Sequence, residues 1–142
     1  MNRQKLEAVA RAHAEAEGRG DLHGTLATLE GEPVYELFPV GKRMRGMDTA
    51  RRYYEHFFAN VAPRLDPAKM TVHGEWLGDT GATLEYTVVY RHPDGREQPF
   101  RILGILTYGE EALTGERVYA DEDLLRIMFA PIWDEMEDIV TG

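Results

Sequence analysis

The stretch GERVYADEDLLRIMF, Gly115 to Phe129, carries four acids, Glu116, Asp121, Glu122 and Asp123. Carboxyl groups serve as general acids or bases when their surroundings bring the pKa toward the working pH. Asp121 stands where an alternating pattern gives way to helical spacing. It is either a catalytic acid at the mouth of a pocket or the N-cap of the last helix. Glu122 and Asp123 would occupy the first turn of that helix, where its dipole favours negative charge, and they point to capping. A second constellation is HGEW, which sets His73 and Glu75 two residues apart and therefore on one face of a strand. An acid/base pair or a metal pair could use that spacing. A metal would want a third ligand, and none of His13, His23, His56 and His92 stands at a supporting spacing, so no metal is expected.

Other chemistry is excluded by what is missing. The 142 residues include no cysteine and no serine, which removes disulfides, thiolate metal sites and the two commonest acyl-enzyme nucleophiles. A Ser/His/Asp or Cys/His triad is ruled out. The formal net charge of −9 argues against nucleic acid as a partner. Lys42, Arg43, Arg45, Arg51 and Arg52 are a local exception, read as a solvated loop and an exposed helix face or else as an anion-binding rim. No apolar run approaches the roughly 20 residues that span a bilayer, and the N-terminus has no apolar signal-peptide core. The expectation is a soluble, cytoplasmic protein with no membrane partner, built as one domain over residues 1–142.

These groups need elements to hold them. Leu6, Val9, Ala10, His13 and Ala14 share one face of a predicted helix from Arg3 to Glu17, closed by GRG. His13, at the edge of that apolar stripe, reads as a satisfied core histidine and not as a ligand or base. Asp21 caps a second predicted helix, DLHGTLATLEG, stopped by Gly31 and Pro33. PVYELFP and GKRMRG suggest two short strands. Met47 and Asp48 form a staple and cap for a third helix whose Ala50, Tyr53, Tyr54, Phe57, Phe58 and Val61 make an aromatic stripe. From Lys69 onward the period shortens to two, and GDTG, HPDG and YGEE divide the region into four strands near 70–77, 82–91, 98–108 and 112–120. Helices first and long hairpins after indicate an α+β domain with a curved, mostly antiparallel sheet around the helices.

Three strings, GDLHGTLATLEGEPVYELFP, RMRGMDTARRYYEHFFANVAP and DGREQPFRILGILTYGEEALTGERVYADEDLLRIM, resemble in order and spacing the nuclear transport factor 2-like superfamily, in its SnoaL-like branch. The resemblance covers nearly all of residues 3–129, and residues 131–142 form a C-terminal extension. It implies a cone-shaped, cystatin-like α+β barrel: three N-terminal helices packed in a strongly curved sheet of about six strands, with a short C-terminal helix. It also implies a deep pocket and a homodimer through the outer sheet face. Relatives include ketosteroid isomerase, scytalone dehydratase, limonene epoxide hydrolase, polyketide cyclases and noncatalytic binding modules, so fold does not settle function.

Laying the strands on the limonene epoxide hydrolase pattern turns Tyr35, Leu37, Val72, Gly74, Trp76, Tyr86, Val88, Tyr90, Phe100, Ile102, Gly104, Glu116, Val118 and Ala120 inward. The resemblance thus implies a pocket for an apolar or aromatic small molecule, with Leu37, Trp76, Val88, Tyr90, Phe100, Ile102, Val118 and Ala120 as ligand-binding positions. The Arg, Asp and Asp of the epoxide hydrolase fall on Tyr86, Val88 and Val118, so that mechanism is unavailable. Ketosteroid isomerase chemistry needs a carboxylate base beside a tyrosine and a protonated aspartate. Tyrosines are present here, but a pair of acids is not evident. Glu116 is the one acid that alternation turns inward, and burial there would raise its pKa; alternatively it sits at an open rim or slips outward at a bulge. The candidate catalytic groups are Glu116, Tyr86, Tyr35 and Asp121, the last because some SnoaL-like cyclases use an acid near this corner. Acid/base chemistry of cyclase or isomerase type would need no cofactor. The alternatives are a noncatalytic ligand carrier and a dimeric structural module.

Overall fold

The computed structural model describes residues 2–140. Four helices, α1 (Arg3–Gly18), α2 (Leu22–Leu26), α3 (Met47–His56) and α4 (Glu122–Met128), accompany seven strands: β1 (Leu29–Phe38), β2 (Lys42–Arg45), β3 (Thr71–Leu77), β4 (Gly81–Arg91), β5 (Glu97–Tyr108), β6 (Leu113–Tyr119) and β7 (Glu137–Asp138). The strands form one curved, unclosed sheet in the order β3-β4-β5-β6-β1-β2-β7. β1 and β6 run parallel, and the other neighbours are antiparallel. The α+β architecture is the expected one, with a seventh, two-residue strand beyond the six anticipated.

Local chemistry explains most boundaries. The Asn2 side chain accepts the Lys5 N–H at 3.1 Å and starts α1, which buries Leu6, Ala10, His13 and Ala16 on one face. Asp21 caps α2 by accepting the Gly24 N–H at 2.8 Å. This helix is shorter than its leucine spacing predicts. The Thr28 carbonyl accepts the Leu113 N–H at 3.0 Å, so sheet pairing begins at Leu29 and the chain passes through Pro33 as strand. Gly31, at φ +62°, lies within the bulge between Leu29 and Val34 that accommodates this path. The start of α3 also departs from expectation. Gly46, at φ +105°, occupies the cap position and Asp48 lies in the first turn instead.

Past His56 the α3 helix widens into a π turn over Phe57–Val61, burying both end residues. The C-terminal extension belongs to the same core. Ile132, Trp133 and Met136 are buried, β7 pairs with β2, and the Trp133 ring is flanked by the Arg126 guanidinium at 4.7 Å and the Lys42 ammonium at 5.8 Å. Acids of the extension also answer the basic cluster. Lys42 pairs with Asp138, Arg43 and Arg45 approach Glu137, and Arg52 meets Glu135. Four of the five basic residues of that cluster are thus each within 4 Å of an acid.

Candidate functional site

A cavity of about 530 Å³ lies between α1, the inner faces of β3 to β6, the π turn after α3, and α4. Its wall is largely apolar, with Ala10, Phe57, Val61, Val88, Ile102 and Leu106 among the contributors, and α4 adds Leu124 and Met128. Into this wall the chain sets Glu116, Glu17, His13 and Tyr86.

Glu116 points inward because of its neighbour. Gly115 has φ +143° and packs so closely on the Val34 backbone that a Cβ there would overlap the Val34 carbonyl. The alternation that follows turns Glu116 in and Arg117 out, where Arg117 approaches Glu36 at 3.6 Å. Across the sheet, a methyl group on Gly104 would lie 2.7 Å from Glu116 Oε1. The glycine therefore leaves the space that the carboxyl occupies. Burial is the main reason the Glu116 pKa rises, to about 8; the negative charge of Glu17 adds to the rise and His13 opposes it. Near neutral pH Glu116 is therefore mainly a carboxylic acid.

His13 joins a polar chain behind and beside the cavity. Nδ1 lies 2.7 Å from Thr28 Oγ1, and Nε2 lies 3.0 Å from Glu17 Oε2 and 3.3 Å from the Tyr54 hydroxyl. The Tyr54 hydroxyl is 2.6 Å from that of Tyr35. Burial opposes charging His13, but the Glu17 hydrogen bond and the charges of Glu17 and Glu116 outweigh it, and its pKa is raised. Tyr35, Tyr53, Tyr54 and Tyr86 are pushed well above the ordinary phenol range, chiefly by burial, and stay neutral.

Of the residues expected at the site, Glu116, Tyr86, Val88 and Ile102 line the cavity. Tyr35, Leu37, Tyr90, Phe100, Val118 and Ala120 are buried in the core and are not part of the cavity wall. Tyr35 is the cross-strand partner of Glu116 on β1, and its hydroxyl meets that of Tyr54. Asp121 is exposed and accepts the Asp123 N–H at 2.8 Å, which makes it the cap of α4 and not a pocket acid. Trp76 corrects the expected alternation of β3. A bulge between Val72 and Gly74 inserts one residue against β4, and the phase inverts beyond it. Trp76 then faces outward, 55% exposed, with its indole over Gly74. Val72 is exposed as well. The same bulge separates His73 from Glu75. His73 Nε2 meets Thr87 Oγ1 at 2.8 Å on the outer face, while Glu75 turns to the cavity mouth, 3.9 Å from Arg11.

The groups that sequence reasoning missed are His13 as a cavity residue and Glu17. Their i, i+4 spacing on α1 was a usable signal, since residues so spaced meet on a helix surface.

The sequence matches the SnoaL-like domain over residues 10–116. No curated protein matches it significantly. Among solved structures, a candidate polyketide cyclase from Xanthomonas campestris is similar with a TM-score of 0.66 at 18% identity, over 91% of this chain and 99% of that one. An LEH-like epoxide hydrolase from M. tuberculosis is similar with a TM-score of 0.65 at 18% identity, over 92% and 97%. An NTF2-like protein of unknown function from Burkholderia pseudomallei gives 0.66 at 16% identity, over 90% and 98%. Identities this low establish shared fold and nothing about activity. With the family match spanning most of the chain and the curved sheet enclosing a cavity, this protein belongs to the SnoaL-like domain family, of NTF2-like fold.

Proposed function

We propose that the cavity binds an apolar or aromatic small molecule and carries out cofactor-free acid/base chemistry on it, of cyclase or isomerase type, with Glu116 as the acid. The observation that carries this reading is the Glu116 carboxyl, enclosed by the cavity wall, with its pKa raised to about 8 chiefly by burial. Such a group donates a hydrogen bond or a proton to a ligand oxygen near neutral pH. Tyr86, a neutral phenol on the same wall, offers a second donor. Water activation by an Arg/Asp/Asp set is not supported, because those positions hold Tyr86, Val88 and Val118.

Native mass spectrometry of the purified protein would identify a cavity occupant, and turnover of that molecule is then measured. Glu116→Gln is expected to keep affinity within a few-fold and to abolish turnover. If neither the parent nor the variant turns over any identified ligand, the protein is a noncatalytic carrier. We further propose a homodimer through the outer sheet face, where exposed Trp76 and Tyr119 flank the half-buried Val89, Leu103 and Ile105. Leu103→Glu should convert a dimer to a monomer in light scattering; a parent that is already monomeric refutes the pairing.

A further inference from the structure

The hydrogen bonds around His13 determine where its protons lie. Thr28 Oγ1 donates to the Thr25 carbonyl at 2.6 Å. A hydroxyl has one proton, so toward His13 Nδ1, 2.7 Å away, Thr28 can only accept. Nδ1 must therefore carry a hydrogen. That leaves Nε2 facing Glu17 Oε2 at 3.0 Å. A ring lone pair and a carboxylate oxygen repel at this distance, and the contact is a hydrogen bond only if one proton lies between them. His13 is 2% exposed, whereas the Glu17 side chain is 31% exposed, and both line the cavity.

We propose that His13 and Glu17 form a one-proton pair opening onto the cavity, that Glu17 is the general base acting opposite Glu116, and that Thr28 is the positioning residue that sets the pair. The groups facing the pair are Glu116, which lines the same cavity and whose charge acts on His13, and the Tyr54 hydroxyl, 3.3 Å from Nε2. In turnover Glu17 takes a proton from a ligand carbon next to a carbonyl. The C–H electron pair shifts toward the carbonyl oxygen, which takes the Glu116 proton and gives an enol. The ligand this step needs carries a carbon–carbon double bond beside that carbon, so the enol is a conjugated dienol. In the second half Glu116 recovers its proton as the carbonyl re-forms, the double bond shifts into conjugation with it, and Glu17 returns its own proton to the far end of the old double bond. Protein protons are restored, and the ligand is isomerised with no outside reagent.

The catalytic role rests on the acid/base reading proposed above; the one-proton pair does not, and it can be tested without a ligand. Long-range ¹H–¹⁵N spectra of the full-length, ¹⁵N-histidine-labelled protein report the tautomer of His13 through a pH titration. The parent is expected to keep Nδ1–H when neutral. Thr28→Val should lose that tautomer preference and Thr28→Ser should restore it. Glu17→Gln should lower the His13 titration midpoint by about one pH unit or more, because it removes the carboxylate that favours the imidazolium. A neutral His13 protonated on Nε2 in the parent, or an unmoved midpoint in Glu17→Gln, overturns the pair. Should Thr28→Val fail to fold, the parent tautomer and Glu17→Gln still decide. If the spectra agree but Glu17→Gln leaves turnover of an identified ligand intact, Glu17 is not the base. A parent that turns over nothing refutes the acid/base reading itself and leaves the spectroscopic result standing.

Discussion

Glu116 couples the cavity's chemistry to the stability of the protein. In the unfolded chain it ionises near 4.5, and in the folded protein near 8. Between those values the folded state holds a proton that the unfolded state has released, so stability falls as pH rises across the window and levels off above it. The raised pKa of His13 acts in the same direction: its contribution is complete below the unfolded value of 6.5 and is lost as pH rises through the folded one. Chemical denaturation of the parent and Glu116→Gln across this range should show a smaller slope in the variant. The difference is up to roughly 1 kcal/mol per pH unit, with the variant the more stable at alkaline pH. Identical slopes would mean that Glu116 is not enclosed. Gly104→Ala probes the same carboxyl from the facing strand. A methyl group 2.7 Å from Glu116 Oε1 displaces a flexible side-chain end, not backbone, so ligand affinity and the Glu116 titration should change more than the denaturation midpoint. At this scale the sequence marked Glu116 through strand alternation but read His13 as a core filler. One-dimensional spacing shows which side chains share a face; it does not show that a threonine 15 residues away will claim one ring nitrogen.

The elements are held in register by a few backbone contacts that side-chain patterns do not reveal. Gly115 joins β6 to β1 where any side chain would overlap the Val34 carbonyl, at a φ that L-residues rarely adopt. Gly115→Ala should destabilise the fold by more than about 2 kcal/mol in urea denaturation. A near-neutral result would show that the two strands can separate locally without cost. Glu30 closes the turn between β5 and β6, its carboxylate accepting the N–H groups of Glu110, Glu111 and Ala112 at 3.0, 3.0 and 2.9 Å. Those bonds hold its pKa below the ordinary value, so this support is present above about pH 4.5 and fades as pH falls through the lower, folded value. In Glu30→Gln, hydrogen exchange should speed up at those three amides before it changes in β4. The strand limits themselves were close to those read from alternation and turn residues. Alternation failed at the bulge in β3, where one inserted residue reversed the faces of Glu75 and Trp76.

For the whole molecule, a cavity of about 530 Å³ bordered by both helices and sheet lets ligand binding act on the stability of the fold. An apolar ligand at 100 times its dissociation constant should add about 2.7 kcal/mol to stability, read as a saturable rise in melting temperature. If that ligand accepts a hydrogen bond from protonated Glu116, its affinity should decline above about pH 8 in the parent but not in Glu116→Gln. The amino-acid sequence by itself determined the element order, the caps of α2 and α4, the family resemblance and the exclusion of serine and cysteine nucleophiles, because each depends on local spacing or bare composition. Only the tertiary structure decided which inward residues meet empty space. Tyr35, Leu37, Tyr90, Phe100, Val118 and Ala120 alternate inward as regularly as Tyr86, Val88 and Ile102, yet they are buried in the core and the latter three border the cavity. Sheet curvature and the placement of α1, α3 and α4 govern that division, and the approach of α1 to the Thr25–Thr28 turn brings His13 Nδ1 to Thr28 Oγ1. These are long-range packing outcomes, and no window along the chain contains them.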